Sequence, residues 1–139
     1  MKKLLIVILA VVAVISASTA FAADSNSAKV IAYYFHGSFR CYTCNMMEKY
    51  SKEAIETNFK DDLASGKIEF NAVNVEDRGN EHFVNDYQLY TKSFILSLVK
   101  DGKEVRSKNL DKIWEYARNK QKFIDYVSDE VNVFMKDVQ

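Results

Sequence analysis

The chain has 139 residues, with 19 basic and 19 acidic side chains, and therefore carries no formal net charge at neutral pH. No segment interleaves basic with aromatic residues, so the composition argues against nucleic acid as a partner. A length of this order suits a single domain with its own core rather than several domains.

Residues 1–22 have the three parts of a secretory signal peptide. Lys2 and Lys3 form a positive start, residues 4–15 are continuously apolar, and residues 20–22 (Ala-Phe-Ala) offer a cleavage site. The apolar run is short for a transmembrane helix, which needs about 20 residues. We therefore predict a signal peptide over 1–22 and a bacterial protein that is exported, either periplasmic or extracellular.

The alternative for this segment is an uncleaved membrane anchor that extends through Ala17. In that case the protein would touch a membrane only through this segment. No cysteine closely follows the apolar run, which argues against a lipoprotein anchor. Small and polar residues at 23–28 predict a flexible N-terminus, and residues 29–139 are expected to form one domain.

The predicted elements of that domain alternate between strands and helices. In chain order they are a strand over 29–35, a helix from 41 or 42 to about 59, a short turn over 61–64, a strand over 68–75, a short helix over 81–87, strands over 93–99 and 103–106, and helical structure from about 111 to 136. β-Branched and aromatic residues mark the strands, and apolar residues at helical spacing mark the helices.

Three local signals support the boundaries of these elements. Asp101-Gly102 predicts a tight hairpin turn, Asn80 is a candidate N-cap for the short helix, and Asn119 can divide the last helical segment in two. The order β-α-β-α-β-β-α predicts an α/β fold with a central mixed four-stranded sheet that helices cover on both faces.

Cys41 and Cys44 are the only cysteines of the chain, and they lie between the first predicted strand and the helix that follows it. A thiol at a helix N-terminus faces unpaired N–H groups and the positive end of the helix dipole, which favour the thiolate. Cys41 is the candidate nucleophile and Cys44 the candidate resolving thiol. The alternative is a static disulfide, but so short a loop makes a poor covalent staple.

Two neighbours of the cysteines are candidate supporting residues. Arg40 precedes Cys41, and its fixed charge would stabilise the thiolate and make the pair more oxidising. The alternative is an arginine that is simply solvated in a loop. His36 can exchange a proton with a cysteine sulfur near neutral pH, or it can be a packing residue in place of an aromatic side chain.

The position of the cysteine pair and the order of elements resemble the thioredoxin fold over residues 29–139. Residues 35–39 (Phe-His-Gly-Ser-Phe) are similar to the Phe-x-Ala-x-Trp stretch of secreted thioredoxins, with Arg40 as an extra residue. Residues 73–76 (Val-Asn-Val-Glu) and 100–103 (Lys-Asp-Gly-Lys) resemble a thioredoxin strand end and hairpin. The resemblance implies a thiol–disulfide oxidoreductase whose partners are protein thiols, protein disulfides or a redox partner protein, with no cofactor beyond the redox-active disulfide.

A narrower resemblance rests on residues 35–37 and 40–44 together with residues 86–93 and 108–112. These stretches are similar to a small group of secreted bacterial thioredoxin-like proteins labelled nitrophenyl compound nitroreductase subunit. That label implies electron transfer to a partner protein. The chain itself has no flavin or nicotinamide fingerprint.

The chain departs from the thioredoxin pattern at two places. Thioredoxins carry a cis-proline before the third strand, whereas this chain has no proline, and Ser93 or Phe94 occupies that position. Because a non-proline cis peptide costs about 3 kcal/mol, we expect a trans loop there. Thioredoxins also bury an acidic residue in the first strand, and Tyr34 or Phe35 takes that place here.

Copper binding is the alternative function for the same cysteines. Two thiolates with a thioether from Met47 or an imidazole from His36 would suit Cu(I), which prefers soft ligands. In thioredoxin-like proteins the cis-proline keeps metals off such cysteine pairs, and this chain lacks that barrier. Plain core packing is the competing interpretation of Met47.

Overall fold

The structure is a computed structural model that describes residues 28–138. The predicted signal peptide and residues 23–27 of the predicted flexible N-terminus lie outside the described residues. Ala28, the last residue assigned to that flexible segment, is instead the first residue of a strand. In the part of the chain that the structure describes, no helix has the length and apolar character needed to span a lipid bilayer.

The elements occur in the predicted order. The strands are β1 (Ala28–His36), β2 (Ile68–Asn74), β3 (Ser93–Lys100) and β4 (Lys103–Asn109), and the helices are α1 (Tyr42–Asn58), α2 (Lys60–Ala64), α3 (His82–Asp86), α4 (Ile113–Tyr116) and α5 (Lys120–Met135). The largest difference from the sequence prediction is β4, which extends three residues beyond Arg106. Every residue of β4 is exposed, so its sequence lacks the alternation that reveals a half-buried strand.

The four strands form one mixed sheet in the order β2-β1-β3-β4. β1 runs parallel to β2, with Val30 opposite Ile68, and β3 runs antiparallel to both β1 and β4. Asp101 and Gly102 both have positive φ, at 51° and 74°, as a tight hairpin turn between twisted strands requires. The chain therefore has the predicted α/β topology with a mixed four-stranded sheet.

The main core lies between one face of the sheet and helices α1 and α5. On α1 it buries Met47 and Ile55 completely, and on α5 it buries Phe123 and Val127 completely. Ser51 of α1 is also fully buried, and its hydroxyl donates a 2.8 Å hydrogen bond to the Met47 carbonyl. This packing fixes the position of α1, and with it the cysteine pair at its N-terminus.

The opposite face of the sheet is covered by the short helix α3 and the loop that follows it. Its cluster consists of buried Phe35, Leu89 and Ile95, with partly buried residues around them that include Phe83 of α3. A five-residue helix leaves part of this face open, so Ile31 in the middle of β1 stays partly exposed. Helices therefore flank the sheet as predicted, with the smaller cover on this face.

The predictions for Asn119 and Asn80 have different outcomes. Asn119 separates α4 from α5, as predicted, and in addition its side chain caps α5 by accepting a 3.1 Å hydrogen bond from the Lys122 amide. Asn80 does not cap α3 through its side chain, because its amide donates to the Asn74 carbonyl at 3.0 Å. That hydrogen bond joins the loop before α3 to the end of β2. The N-cap prediction for Asn80 considered only the residues that follow it and could not include this contact.

Candidate functional site

Cys41 and Cys44 form a disulfide at the N-terminus of α1. Cys41 is the N-cap residue, with extended backbone angles, and its Sγ accepts a 3.2 Å hydrogen bond from the Cys44 amide. Cys41 is partly exposed, whereas Cys44 in the first turn is 2 % exposed. The geometry therefore distinguishes an accessible cysteine, Cys41, from a buried one, Cys44.

The electrostatic setting of Cys41 favours a negative charge on its sulfur. The first N–H groups of a helix have no partner within the helix, and here one of them already points at Sγ. The first turn of α1, all of it described by the structure, contains no acidic side chain that would offset the positive end of the dipole. A thiolate at Cys41 is thus stabilised by the backbone itself.

Arg40 is tethered rather than freely solvated. Its side chain is 26 % exposed and forms an ion pair with Glu48 through Nη2, and its Nη1 lies 3.3 Å from Nε2 of His36. Nδ1 of His36 lies 2.9 Å from the Gly37 carbonyl oxygen. Because that carbonyl can only accept, Nδ1 donates, and a neutral His36 accepts the Arg40 hydrogen bond at Nε2.

Tyr34 is the β1 residue that lies beneath the cysteine helix. It is fully buried, and its hydroxyl donates a 2.8 Å hydrogen bond to the Cys44 carbonyl. Burial raises the pKa of Tyr34 far above its ordinary value, while nearby Arg40 lowers it and Glu48 raises it. The hydroxyl is therefore a neutral donor at physiological pH, in the strand where thioredoxins bury an acid. Phe35, the other candidate, belongs to the small cluster on the opposite face.

Removal of the Tyr34 hydroxyl should abolish its hydrogen bond to the Cys44 carbonyl and so destabilise the fold. We expect Tyr34→Phe to lower the free energy of unfolding by about 1 kcal/mol, the usual net value of one hydrogen bond. Tyr42→Phe is the matched control, because Tyr42 is 80 % exposed and should show no measurable change. Urea denaturation of both oxidised variants would test this, and equal stabilities would show that the contact contributes nothing.

Glu76 closes the loop that leads from β1 to Cys41, and no motif in the sequence singles it out. Its Oε2 accepts a 3.1 Å hydrogen bond from the Ser38 amide. A Cβ on Gly37 would lie 2.5 Å from Oε1 of Glu76, so the glycine makes room for the carboxylate. The Ser38 hydrogen bonds are the main cause that lowers the pKa of Glu76, with smaller contributions from Lys92 and His36.

The lowered pKa of Glu76 predicts how this loop responds to acid. A carboxyl whose pKa is lower in the folded than in the unfolded state adds stability above its ordinary pKa, and that stability is lost as pH falls through the folded value. NMR titration should therefore show Glu76 protonating below the ordinary glutamate range, with the Ser38 amide shift following it. In Glu76→Gln the Ser38 shift should lose this transition, and a Glu76 titration in the ordinary range would contradict the assignment.

Ser93 is the first residue of β3 and pairs with Phe35 at the end of β1. It is 4 % exposed, and its hydroxyl donates to the Thr91 carbonyl at 3.0 Å rather than to a cysteine. Phe94 pairs with Tyr34 and is a core residue. All peptide bonds in residues 28–138 are trans, so the expected trans loop before β3 is confirmed.

The copper alternative receives no additional ligand from the fold. Within residues 28–138 there is no group of three or more His, Cys, Asp or Glu side chains that could hold a metal ion. Met47 is completely buried in the main core, and His36 is bonded to Arg40. Core packing therefore accounts for Met47 in this structure.

Exposed aromatic side chains flank the cysteine pair along the chain. Phe39 and Tyr42, on either side of Arg40 and Cys41, are 78 % and 80 % exposed. The Lys92 amine lies 6.0 Å from the centre of the Phe39 ring, so the loop before β3 approaches Phe39. A groove of about 170 Å³ lies between that loop and the end of β1, and its lining includes His36, Gly37, Glu76, Lys92 and Tyr90, which is 90 % exposed.

No family model and no curated protein matches the chain. Among solved structures it is similar to a thioredoxin from Fasciola hepatica, with 25 % identity over 68 % of this chain and 83 % of that chain and a TM-score of 0.40. It is also similar to thioredoxin O2 from Arabidopsis thaliana in its oxidised state, with 12 % identity over 68 % and 74 % of the two chains and a TM-score of 0.42. At these scores the fold assignment depends on the strand order and pairing described above.

Proposed function

We propose that this protein is an exported thiol–disulfide oxidoreductase or electron-transfer protein whose redox group is the Cys41–Cys44 pair. The observation that carries the proposal is the disulfide at the N-terminus of α1, with one sulfur accessible and the other buried. A covalent staple needs no such asymmetry, whereas an exchange reaction needs one sulfur that a partner can reach.

The reaction transfers two electrons between the cysteine pair and a partner. In the reducing direction the Cys41 thiolate attacks a partner disulfide, a mixed disulfide forms, and one partner thiolate leaves and takes up a proton. The Cys44 thiolate then attacks Sγ of Cys41, which closes the protein disulfide and releases the second partner thiol. The partner gains two electrons and two protons, and the protein loses both. The oxidising direction reverses each step.

Protein thiols or disulfides are the proposed partners. Phe39 and Tyr42 offer exposed aromatic contact area beside Cys41, and aromatic side chains of this kind are common in protein interfaces. An electron relay to a partner enzyme, as the nitroreductase-subunit resemblance implies, would use the same surface. Affinity capture with the intact protein from its native host would distinguish a dedicated partner from general exchange with many proteins.

Equilibration of the wild-type protein in glutathione buffers tests the proposal. Each mixture is acid-quenched, the free thiols are alkylated, and the reduced fraction is measured by mass spectrometry. We expect a reversible two-electron transition within the range of glutathione mixtures. A pair that stays fully oxidised or fully reduced at every ratio, even after long incubation, would contradict a role in exchange.

The copper alternative is tested on the same reduced protein. Cu(I) is added in competition with a chromophoric chelator, with Cys44→Ser as the control. Two thiolates can hold Cu(I) without a third ligand, because this soft ion prefers sulfur, so the competition decides between the two functions. If the pair serves disulfide exchange rather than copper binding, we expect the chelator to take the copper from the protein. Stoichiometric retention that depends on Cys44 would instead favour a metal-binding function.

A further inference from the structure

The ion pair between Arg40 and Glu48 joins the residue before Cys41 to the second turn of α1. Both side chains are about three-quarters buried, at 26 % and 27 % exposure. Among the described residues the Arg40 Nε is buried and has no hydrogen-bond partner. The position of the guanidinium therefore depends on two contacts, the carboxylate of Glu48 and the neutral imidazole of His36.

The contact to Glu48 places a negative charge beside Arg40 near the cysteines. Glu48 lies four residues after Cys44, so the two side chains are on the same face of the helix. A carboxylate bonded to a guanidinium cancels much of the field of that cation at nearby atoms. Cys41 then experiences less positive charge than Arg40 alone would supply.

Tyr34 provides an independent indication that both charges act at this site. Its buried hydroxyl touches the Cys44 carbonyl, and burial is the main cause that raises its pKa. Arg40 lowers that pKa and Glu48 raises it, so the two charges act with opposite sign on a group in contact with the cysteine pair. The same opposition is expected at the sulfurs.

We propose that Glu48 is a positioning residue that holds Arg40 and offsets its charge, and so makes the Cys41–Cys44 disulfide a weaker oxidant than Arg40 alone would make it. This inference rests on the proposed redox function. According to this inference, Glu48, which lies outside the Cys-x-x-Cys motif, helps to determine the reduction potential of the cysteine pair. Arg40 supplies the charge, and Glu48 limits how much of it the thiolate of Cys41 receives.

The test is the equilibrium in which the protein disulfide and two glutathione thiols form the protein dithiol and one glutathione disulfide. Glu48→Gln keeps the size and a hydrogen-bonding group but removes the charge. We expect it to shift this equilibrium about fivefold toward the dithiol, as loss of a nearby, partly screened charge would do. Arg40→Gln should shift it in the opposite direction.

The double variant determines whether Glu48 acts through Arg40. In the Arg40→Gln background the Glu48→Gln change should shift the equilibrium by less than about twofold, the size of a direct field from a partly exposed charge. An equal shift in both backgrounds would overturn the inference, because Glu48 would then act without Arg40. Glu53→Gln is the matched control, since Glu53 is on the same helix but pairs with Lys120 at 2.6 Å.

Failure of this inference is distinguishable from failure of the proposed function. A wild-type protein that exchanges with glutathione, together with a Glu48→Gln variant that is no different from Glu53→Gln, would overturn the inference alone. A wild-type pair that never exchanges would overturn both. Urea unfolding of the oxidised variants measures their stability separately from the thiol–disulfide equilibrium. If Glu48 had only a structural role, its replacement would change the free energy of unfolding and leave the equilibrium with glutathione unchanged.

Discussion

Replacement of Cys41 by serine is expected to reduce disulfide exchange to the level of the buffer control. Cys41 is the partly exposed sulfur at the N-cap of α1, where the Cys44 amide and the helix dipole stabilise a thiolate. A serine hydroxyl at the same place does not ionise in the physiological range and cannot attack a disulfide. The measurement is the rate at which the reduced variant cleaves a small fluorogenic disulfide substrate.

Cys44→Ser is the informative companion of that variant. Cys44 is 2 % exposed and, in the proposed reaction, serves only to resolve the mixed disulfide, so its loss should leave the first attack intact. We expect this variant to accumulate a stable adduct with one equivalent of substrate thiol, visible by mass spectrometry. Full activity of Cys41→Ser, or adduct formation at Cys44 in that variant, would reverse the assigned roles.

Truncation of Phe123 to alanine should destabilise the domain more than any substitution near the cysteine pair. Phe123 is fully buried on α5 and packs edge-on against Tyr50 of α1, with ring centres 5.7 Å apart. Deletion of a buried aromatic ring costs about 3–5 kcal/mol, which is a large share of the stability of a single domain. Urea denaturation followed by circular dichroism would measure the loss.

Val133→Ala on the same helix is the control for that measurement. Val133 is 49 % exposed, so its truncation should change the free energy of unfolding by less than about 0.5 kcal/mol. Phe123→Leu keeps part of the buried volume and should lie between the two if the alanine variant does not fold. Equal stabilities of the three variants would show that α5 does not hold α1 through this contact.

Most of the fold is predictable from the sequence because its signals are local. The Asp101-Gly102 turn and the break at Asn119 depend on residues next to one another, and both are present as expected. The sequence prediction for β4 ends three residues before the observed strand does, because an exposed edge strand has no alternation of apolar and polar residues. How much of the second face of the sheet α3 covers is not predictable in this way. That area depends on the length and position of α3 in the folded chain, and the order of the elements gives neither.

The candidate site divides in the same way. Spacing along the chain is enough to select the cysteine pair, Arg40 and His36, and the structure brings all four together at the start of α1. Spacing does not select Glu48, because a glutamate on a helix is ordinary until its partner is known. Counting from neighbouring motifs selects Ser93, and the structure places it opposite the end of β1 with its hydroxyl bonded to the loop backbone.

The order of the elements and a Cys-x-x-Cys pair at a helix N-terminus follow from the amino-acid sequence alone, because they depend on backbone preferences over a few neighbouring residues. Three further features required the folded chain: which sulfur is buried, that Tyr34 rather than Phe35 supports Cys44, and that Glu48 neutralises Arg40. They depend on how α1 packs on the sheet and on how the loop before it folds back, since burial and charge pairing are properties of distances in space.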